Sequence, residues 1–555
     1  MDENQKYEDQ NQTEDVEEKK SPAEELRGEL IENAIILGLA FCILIVATII
    51  KNNNVTRWLY TLSFVFSGYE ILYLSIVKLC KKALIIEEIS ILISGLILLY
   101  CGQNILSCLI VLLYSVLRTA LKFITYKVEN TAEYLQTATE YESDITVKKQ
   151  LNIRACSLKL ALAENYEQGN SYKLKFGIII VAIGLLVSFI PPIFGSDYIS
   201  LLTTKWLPCG AATVAVAQVS TFFITKAICY LSAFLNADRN GVIYGSSKAI
   251  EFLAKSDNVI FDKTGVVTEK TAVIDKVTAD NVSKVLSLLY SAEKNINNEL
   301  CSAVSRYSKE NSIDIEDVTI SKLKFIENKG VIADIADKTY VIGNKKLIND
   351  IFAITTEENR DLSVIYIANE IGIQGTIYLK YIEKPNIEGV VNELSLDLNK
   401  KTCLLSSDNL GVVNKLKIRF GFNKAIAGAS SEYKSRYVKE NGAVYIGDSE
   451  YDKEVIKLLS SNCVTIGCSE SGDIGASVEG TDIRELPTLF KLATRTTKKI
   501  KTLKTLTVIL NLAVIALNLT LSILAPLYLW TVALGILIVD ITLLSVALSN
   551  LSETV

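Results

Sequence analysis

The sequence predicts an α-helical membrane domain with eight spans, joined to a cytosolic α/β domain into which a smaller α+β domain is inserted. Half of the 555 residues are hydrophobic (50%), the mean hydropathy is +0.30 and only 21% of residues are charged. This composition favours an integral membrane protein over a soluble multidomain protein. The apolar segments also flank a polar block, residues 237–500, in which strand and helix patterns alternate.

Each of the apolar segments is close to the length of about 20 residues that a helix needs to cross a bilayer. The predicted spans are 31–50, 58–78, 84–101, 104–122, 175–194, 207–235, 505–524 and 527–548. Basic residues concentrate in the loops that an even number of spans assigns to the cytosol, so both termini and the polar block are predicted to be cytosolic. Residues 1–30 carry eleven acidic and four basic side chains and are predicted to be a disordered acidic tail.

The residue types that are missing narrow the chemistry. The sequence has no histidine, which removes the commonest general base and metal ligand. Its eleven cysteines lie mostly in apolar stretches and form no Cys-x-x-Cys pair. This distribution argues against both a disulfide framework and a zinc site.

Three short apolar runs in the polar block end on turns that bear acidic residues. They read NVIFD, TCLLSSDN and GAVYIGDSEYD. Parallel sheets place ligand-binding groups at the carboxyl ends of their strands in this way. We therefore assign residues 237–275 and 383–500 to one α/β domain, and residues 276–382, which contain several β-like runs, to an insertion with its own core.

Asp262, in the stretch FDKTGVVTEK, is a candidate nucleophile for phosphoryl transfer that forms an aspartyl phosphate. Asp448 could bind Mg²⁺ together with Asp262 and the backbone carbonyl of Thr264. Ser406 offers a hydroxyl and Lys434 a positive charge to phosphate oxygens. A single residue of this kind at a strand end usually belongs to a solvated turn. Four such residues in the expected order along the polar block favour a phosphoryl-transfer site.

The stretch GVIYGSSKAIEFLAKSDNVIFDKTGVVTEK (241–270) resembles the P-type ATPases, in particular their heavy-metal-transporting branch. The stretch 68–93 is similar to the second and third spans of the zinc/cadmium/lead-exporting class, and the order of six spans, catalytic block and two spans is also similar. The resemblance covers about 60–130 and 175–550. It implies a haloacid-dehalogenase-like phosphorylation domain with an inserted nucleotide-binding domain, ATP and Mg²⁺ as ligands, a divalent heavy-metal cation as possible cargo, and a cell-membrane location without nucleic-acid partners.

The resemblance also implies roles for individual residues. The candidate catalytic residues are Asp262, Lys263, Thr264, Ser406, Lys434, Asp448 and Asp452. The candidate nucleotide-binding residues are Glu293, Asn298, Gly330 and Asp408. Asp540, ten residues before Asn550, has the spacing of the membrane aspartate of the zinc/cadmium class and is a candidate ligand for a transported cation. Lys226 could pair with Asp540 as a tethered cation, or could instead extend to the membrane interface.

The departures from the family pattern bear on turnover. The family has an actuator domain with a Thr-Gly-Glu loop between its fourth and fifth spans, and the glutamate of this loop helps to hydrolyse the aspartyl phosphate. Here residues 123–174 are predicted to be a short cytosolic helical segment instead, and Thr-Gly-Glu occurs nowhere in the sequence.

Three further family motifs are altered. The family's Cys-Pro-Cys falls on Gln218-Val219-Ser220 by a gapless count from Asp262. Its His-Pro falls on Asn298-Glu299 and its Gly-x-Gly on 328–330. Its Gly-Asp-Gly-x-Asn-Asp becomes 447–452, in which both aspartates remain.

Three functions therefore compete. The first is ATP-dependent aspartyl-phosphate chemistry with transport of a zinc- or cadmium-like cation, impaired in turnover. The second is a regulatory or scaffolding pseudo-ATPase that does not pump, in which a partner protein could supply or replace the actuator function. The third is a membrane-tethered phosphatase of the haloacid-dehalogenase type. Thr264 argues against the third, because such phosphatases need a second acid at that position.

Overall fold

The computed structural model describes residues 21–552 apart from 51, 81–85, 165–169, 217–219, 295–299, 327–328, 337, 356–361, 450–451, 460–461, 468–474, 480–481 and 525–529. The chain divides into two compact units. The first comprises residues 1–133, 174–218 and 514–537, and the second comprises 134–173, 219–513 and 538–555.

The helices before the polar block are α1 Pro22–Ile49, α2 Asn53–Cys80, α3 Ile86–Tyr100, α4 Asn104–Tyr141, α5 Ile145–Ala163, α6 Asn170–Phe189, α7 Tyr198–Leu201, α8 Leu207–Val216 and α9 Ser220–Arg239. Those within it are α10 Ser247–Lys255, α11 Val282–Lys294, α12 Leu300–Glu310, α13 Lys345–Phe352, α14 Ile387–Asn392, α15 Leu410–Phe420, α16 Ser431–Glu440 and α17 Lys453–Leu459. The last two are α18 Leu486–Leu524 and α19 Trp530–Ser552.

Six helical segments in the described part of the chain are long and apolar enough to cross a membrane. They are Pro22–Ile49, Asn54–Val77, Asn104–Tyr141, Tyr198–Arg239 (with 217–219 outside the description), Ile483–Ile523 and Thr531–Leu551. The predicted spans 84–101 and 175–194 coincide with shorter apolar helices, Glu88–Tyr100 and Ile178–Phe194. The total of eight spans therefore stays a prediction.

Helix α1 begins earlier than the sequence suggested. The hydroxyl of Ser21 accepts from the backbone N–H of Glu24, whose carboxylate accepts in return from the N–H of Ser21. Glu133 of α4 accepts from the Ser21 hydroxyl and the Ala23 N–H, both at 2.9 Å. This capping box starts the helix at Pro22. The prediction of a disordered tail as far as residue 30 is therefore wrong for residues 22–30.

A seven-stranded sheet forms the centre of the second unit. Its strands are β1 Val242–Tyr244, β2 Asn258–Asp262, β9 Lys401–Leu405, β10 Lys424–Ile426, β11 Val444–Asp448, β12 Cys463–Ile466 and β13 Ala476–Val478. Their order is β1-β13-β12-β11-β2-β9-β10, and every neighbouring pair is parallel except β1 with β13. The central strands are buried along almost their whole length, as expected for a parallel sheet covered on both faces. The carboxyl ends of β2, β9 and β11 therefore meet at one edge.

A second, antiparallel sheet of six strands forms the insertion. Its strands are β3 Thr268–Ala279, β4 Lys322–Ile326, β5 Gly330–Ile335, β6 Lys338–Gly343, β7 Ser363–Asn369 and β8 Gly372–Glu383, in the order β3-β8-β7-β6-β5-β4. Helices α11 and α12 cover one face and α13 covers the other, since alternate strand residues belong to the two clusters. Because β3 pairs with β8 from Thr268 onward, the inserted sheet includes residues 268–275, ahead of the predicted boundary at 276.

The segment between the fourth and fifth predicted spans packs against the seven-stranded sheet through α5. Arg154 Nε lies 2.7 Å from Asp238 Oδ1, and its Nη1 lies 3.4 Å from Glu479 Oε1. The Ser157 hydroxyl donates to the backbone carbonyl of Tyr244 in β1 at 2.6 Å. These contacts and the buried side chains of α5 make this helix part of the second unit.

Candidate functional site

The candidate nucleophile lies at the carboxyl end of β2, where the chain turns sharply. The backbone N–H groups of Val267 and Thr268 both donate to the Lys263 carbonyl at 2.9 Å, and the N–H of Thr264 donates to Asp262 Oδ2 at 3.2 Å. Gly265 has φ +78°, and a Cβ there would lie 2.7 Å from the Asp448 Cβ. The turn therefore needs glycine both for its backbone conformation and for its close approach to Asp448.

Lys434 of α16 pairs with the carboxylates of Asp262 and Asp452. Its ammonium contacts Asp262 Oδ1 and lies 3.6 Å from Asp452 Oδ1, and Asp452 Oδ2 accepts from the backbone N–H of Asp448 at 3.1 Å. All four side chains are buried. Burial and the neighbouring Asp262 charge, partly offset by Lys434, raise the pKa of Asp452 to about 7. Burial acts to lower the pKa of Lys434, but the two carboxylates outweigh it and the pKa is raised.

Asp448 ends β11, the strand that pairs with β2, with 1% of its surface exposed. The carboxylates of Asp262 and Asp448 and the carbonyl of Thr264 are hard oxygen ligands, and the lack of a Cβ at Gly265 lets the turn approach the Asp448 carboxylate, since a Cβ there would lie 2.9 Å from Asp448 Oδ2. Mg²⁺ is held in this manner by one or two carboxylates together with substrate phosphates. The residues therefore fit Mg²⁺, although Lys270 Nζ lies 3.1 Å from Asp448 Oδ1.

Ser406 and Lys263 take different directions from the end of the sheet. The Ser406 hydroxyl accepts from the Asp408 N–H at 3.1 Å, just past the end of β9. The Lys263 ammonium leaves the Asp262 cluster: it pairs with Asp408 and lies 3.8 Å from the centroid of the Tyr381 ring. The Ser363 hydroxyl also donates to Asp408, at 2.8 Å. Lys263 and Asp408 thus connect the phosphorylation turn to the inserted sheet.

Two lysines at the site were missed by the sequence analysis. Buried Lys384 donates from its ammonium to the Gly265 carbonyl at 2.6 Å, and its backbone N–H donates to the Val267 carbonyl at 3.0 Å. Burial lowers the pKa of Lys384. Lys270, the second, was quoted in the motif without a role. Lys384 is 119 residues from Gly265 in sequence, so no local pattern could relate the two.

A cavity of about 570 Å³ lies between the α13 face of the inserted sheet and the loops after β9 and β10. It is lined by Lys329, Asn344, Lys345, Lys346, Asn349, Thr355, Val364, Tyr366, Ser407, Asp408, Asn409, Gly428, Ala429 and Ser430. Among the candidate nucleotide-binding residues, Asp408 lines this cavity and Gly330 begins β5 beside Lys329. Glu293 lies on α11, on the other face of the sheet. Asn298 lies outside the described residues.

The membrane candidates are only partly described. Half-buried Asp540 lies on α19. The ammonium of Lys226 lies 5.7 Å from the centroid of the Tyr230 ring, and the Tyr230 hydroxyl donates to Glu251 at 2.7 Å. Both alternatives for Lys226 therefore stay predictions. The altered Cys-Pro-Cys slot falls mostly on 217–219, outside the described residues.

The raised pKa of Asp452 predicts a pH-dependent stability. In the folded state Asp452 holds its proton up to about pH 7, against an ordinary value of 3.8. Its contribution to stability is therefore full below about pH 4 and is lost as the pH rises through about 7. Asp452→Asn, which is neutral throughout, should exceed the wild type in melting temperature by more at about pH 8 than at about pH 5 when Mg²⁺ is chelated. Parallel melting curves at both pH values would contradict this assignment.

The comparisons with known proteins agree with this geometry. A family model described as haloacid dehalogenase-like hydrolase matches residues 257–458. A probable cadmium-transporting ATPase of Alkalihalophilus pseudofirmus is 26% identical over 347 residues, 58% of this chain and 47% of that protein. A cadmium-transporting ATPase of Staphylococcus aureus is 25% identical over 389 residues, 65% of this chain and 52% of that protein. The chain thus spans about half the length of the curated relatives it matches.

Solved structures show the same fold. A zinc-transporting PIB-type ATPase in the E2.Pi state superposes with a TM-score of 0.58 at 15% identity, covering 95% of this chain and 100% of that one. A second crystal structure of a zinc-transporting PIB-type ATPase, in another state, gives a TM-score of 0.54, also at 15% identity, covering 94% of this chain and 99% of that one. The predicted fold class, a helical membrane domain with a haloacid-dehalogenase-like α/β domain, is confirmed.

Proposed function

We propose, for a chain that belongs to the family of heavy-metal P-type ATPases, that Asp262 takes the terminal phosphoryl group of ATP and loses it slowly. The observation that carries this proposal is the arrangement around Asp262. Its carboxylate lies at the end of β2, contacts the Lys434 ammonium and accepts from the Thr264 N–H. Asp448 lies across the Gly265 turn. These are the groups that phosphoryl transfer to a carboxylate requires.

The residues divide the work of the transfer. A carboxylate oxygen of Asp262 attacks the terminal phosphorus, the bond to the bridging oxygen breaks, and ADP leaves with that electron pair. Lys434 and the Thr264 N–H fix the carboxylate, while Lys434 and the Ser406 hydroxyl are the candidates to contact phosphoryl oxygens. Mg²⁺, held by Asp262, Asp448 and the Thr264 carbonyl, would offset negative charge on those oxygens.

The cavity on the α13 face is the candidate site for ATP. Its volume of about 570 Å³ is within the range of ligand pockets. Lys329, Lys345 and Lys346 give it positive charge, and Tyr366 offers an aromatic face. The cavity also reaches Asp408, which pairs with Lys263 next to Asp262. A nucleotide bound there would have its phosphates directed to the phosphorylation turn.

Slow loss of the phosphoryl group follows from the interval between the fourth and fifth predicted spans. The sequence has no Thr-Gly-Glu, and the described part of 123–174 consists of the end of α4, α5 and the start of α6. Contacts of Arg154 and Ser157 hold α5 on the second unit. The described part of this segment therefore lacks the Thr-Gly-Glu glutamate that would position the attacking water. A partner protein would have to supply this group for fast turnover.

Labelling with ATP tests the proposal directly. Full-length purified protein with labelled ATP and Mg²⁺ should acquire at most one label per chain, and the label should persist through a chase with unlabelled ATP. Hydroxylamine should release it, as expected for an acyl phosphate. Sustained release of phosphate that is stimulated by zinc or cadmium would contradict slow turnover. Retained ATP binding without any label would instead support the second function, a regulatory pseudo-ATPase.

The cargo and the location belong to the same proposal. The relatives are named as cadmium-transporting ATPases, and Asp540 is the candidate membrane ligand for a divalent heavy-metal cation. The protein would reside in the cell membrane with the second unit's sheets in the cytosol, as the distribution of basic residues predicts.

A further inference from the structure

We propose that Lys270 is an internal competitor of Mg²⁺ at Asp448, so that the phosphorylation site binds Mg²⁺ only when the Lys270 ammonium leaves this carboxylate. The inference rests on the proposed function in one respect, since it takes Asp448 as the Mg²⁺ ligand. Nothing in the resemblance assigns a role to Lys270, and its contact with Asp448 is a feature of this structure.

The geometry places the ammonium on an oxygen that would bind the metal ion. Lys270 Nζ lies 3.1 Å from Asp448 Oδ1. The Asp448 side chain is 2% exposed, whereas that of Lys270 is 24% exposed. The carboxylate is thus fixed inside the site, and the lysine reaches it from the solvent side. Lys270 lies on β3, two residues after Thr268, where the chain leaves the phosphorylation turn for the inserted sheet.

The charges of the cluster explain why the two cations compete. Three carboxylates meet here, those of Asp262, Asp448 and Asp452, and Lys434 already contacts the first and faces the third. Lys270 already supplies a counter-charge to Asp448. A divalent ion on the same carboxylate would place two cations next to each other in a poorly solvated place, where they repel each other.

Lys270 is the more exposed partner of this ion pair, with 24% of its side chain exposed against 2% for Asp448. Its ammonium can therefore move into water at the modest cost of a partly solvated ion pair. By contrast, Lys434 and Lys384 are buried. Lys270 is therefore the cation that Mg²⁺ displaces, and the site remains closed by its own side chain at low Mg²⁺ concentration.

Titration of Mg²⁺ into the full-length protein without nucleotide tests this inference. Lys270→Gln keeps a polar side chain and removes the charge, and it should lower the Mg²⁺ concentration for half-saturation, measured by calorimetry, by about fivefold to tenfold. Lys270→Arg, which retains the charge, should remain near the wild type. Lys276→Gln, an exposed position on the same strand, is the matched control and should not change the titration.

A second readout guards against misfolding. The rise in melting temperature on adding Mg²⁺ should begin at a lower concentration for Lys270→Gln than for the wild type. An unchanged or higher half-saturation concentration in Lys270→Gln, or no Mg²⁺ binding by either protein, would overturn the inference. The Mg²⁺ titration contains no ATP and is therefore independent of the labelling experiment. Tighter Mg²⁺ binding by Lys270→Gln, together with no phosphoryl label in the labelling experiment, would contradict the proposed function alone. A phosphoryl label without the shift in Mg²⁺ half-saturation would contradict this inference alone.

Discussion

Asp262→Asn should reduce the phosphoryl label from ATP to background, a loss of at least about a hundredfold. An amide oxygen is a poor nucleophile for phosphorus. No other carboxylate of the stretch 261–270 lies at the end of β2, where Asp262 lies. The fold should be retained, because asparagine can still accept from the Thr264 N–H. The measurement is acid-stable label per chain after incubation with ATP and Mg²⁺.

Asp275→Asn is the matched control for this variant. Asp275 is an exposed aspartate on β3, outside the site, and its replacement should leave the label at the wild-type level. Label that persists in Asp262→Asn would identify another acceptor and contradict the assignment of the nucleophile.

Lys434→Met should be the most destabilising single substitution at the site. Removal of the ammonium leaves Asp262 and Asp452 buried next to each other without their shared counter-charge. Breaking a buried ion pair in this way costs about 3–5 kcal/mol, which for a unit of this size corresponds to a fall in melting temperature of roughly 6–12 °C. Protonation of Asp452, whose pKa is already raised to about 7, should make the loss smaller at low pH. Labelling should be lost as well.

The double variant separates charge from packing. If the cost arises from two unbalanced carboxylates, adding Asp452→Asn to Lys434→Met should restore part of the melting temperature. Lys439→Met, an exposed lysine on the same helix, should have little effect. A double variant no more stable than Lys434→Met alone would show that the aliphatic part of Lys434, rather than its charge, supports the site.

The strands that carry Asp262, Ser406 and Asp448 could be predicted because each is an uninterrupted apolar run that ends on a polar turn. Such runs belong to buried parallel strands, and parallel strands bring their carboxyl ends together. The role of Lys434 near Asp262 could be predicted only from the order of the motifs along the chain, because no apolar run marks its position. The fold class could therefore be predicted from local patterns combined with one rule of topology.

The partners of Gly265 and Asp448 could not be predicted from these patterns. Lys384 contacts Gly265 across the end of the inserted sheet, and Lys270 reaches Asp448 only because β3 leaves the turn in one particular direction. Both contacts depend on the path of the chain between domains, on which periodicity gives no information. The start of α1 at Pro22 was missed for a similar reason, since Glu133, 110 residues from Ala23, helps to fix it.

The contacts of α5 have a consequence for association between copies of the chain. Strand β1 is at the end of the seven-stranded sheet, and an end strand offers unpaired backbone groups to other chains. The Ser157 hydroxyl donates to the carbonyl of Tyr244 on this strand. Arg154 forms ion pairs with Asp238, which precedes β1, and with Glu479, which follows β13. Helix α5 thus covers part of this end strand. We expect removal of α5 to uncover the strand and to favour self-association through strand pairing.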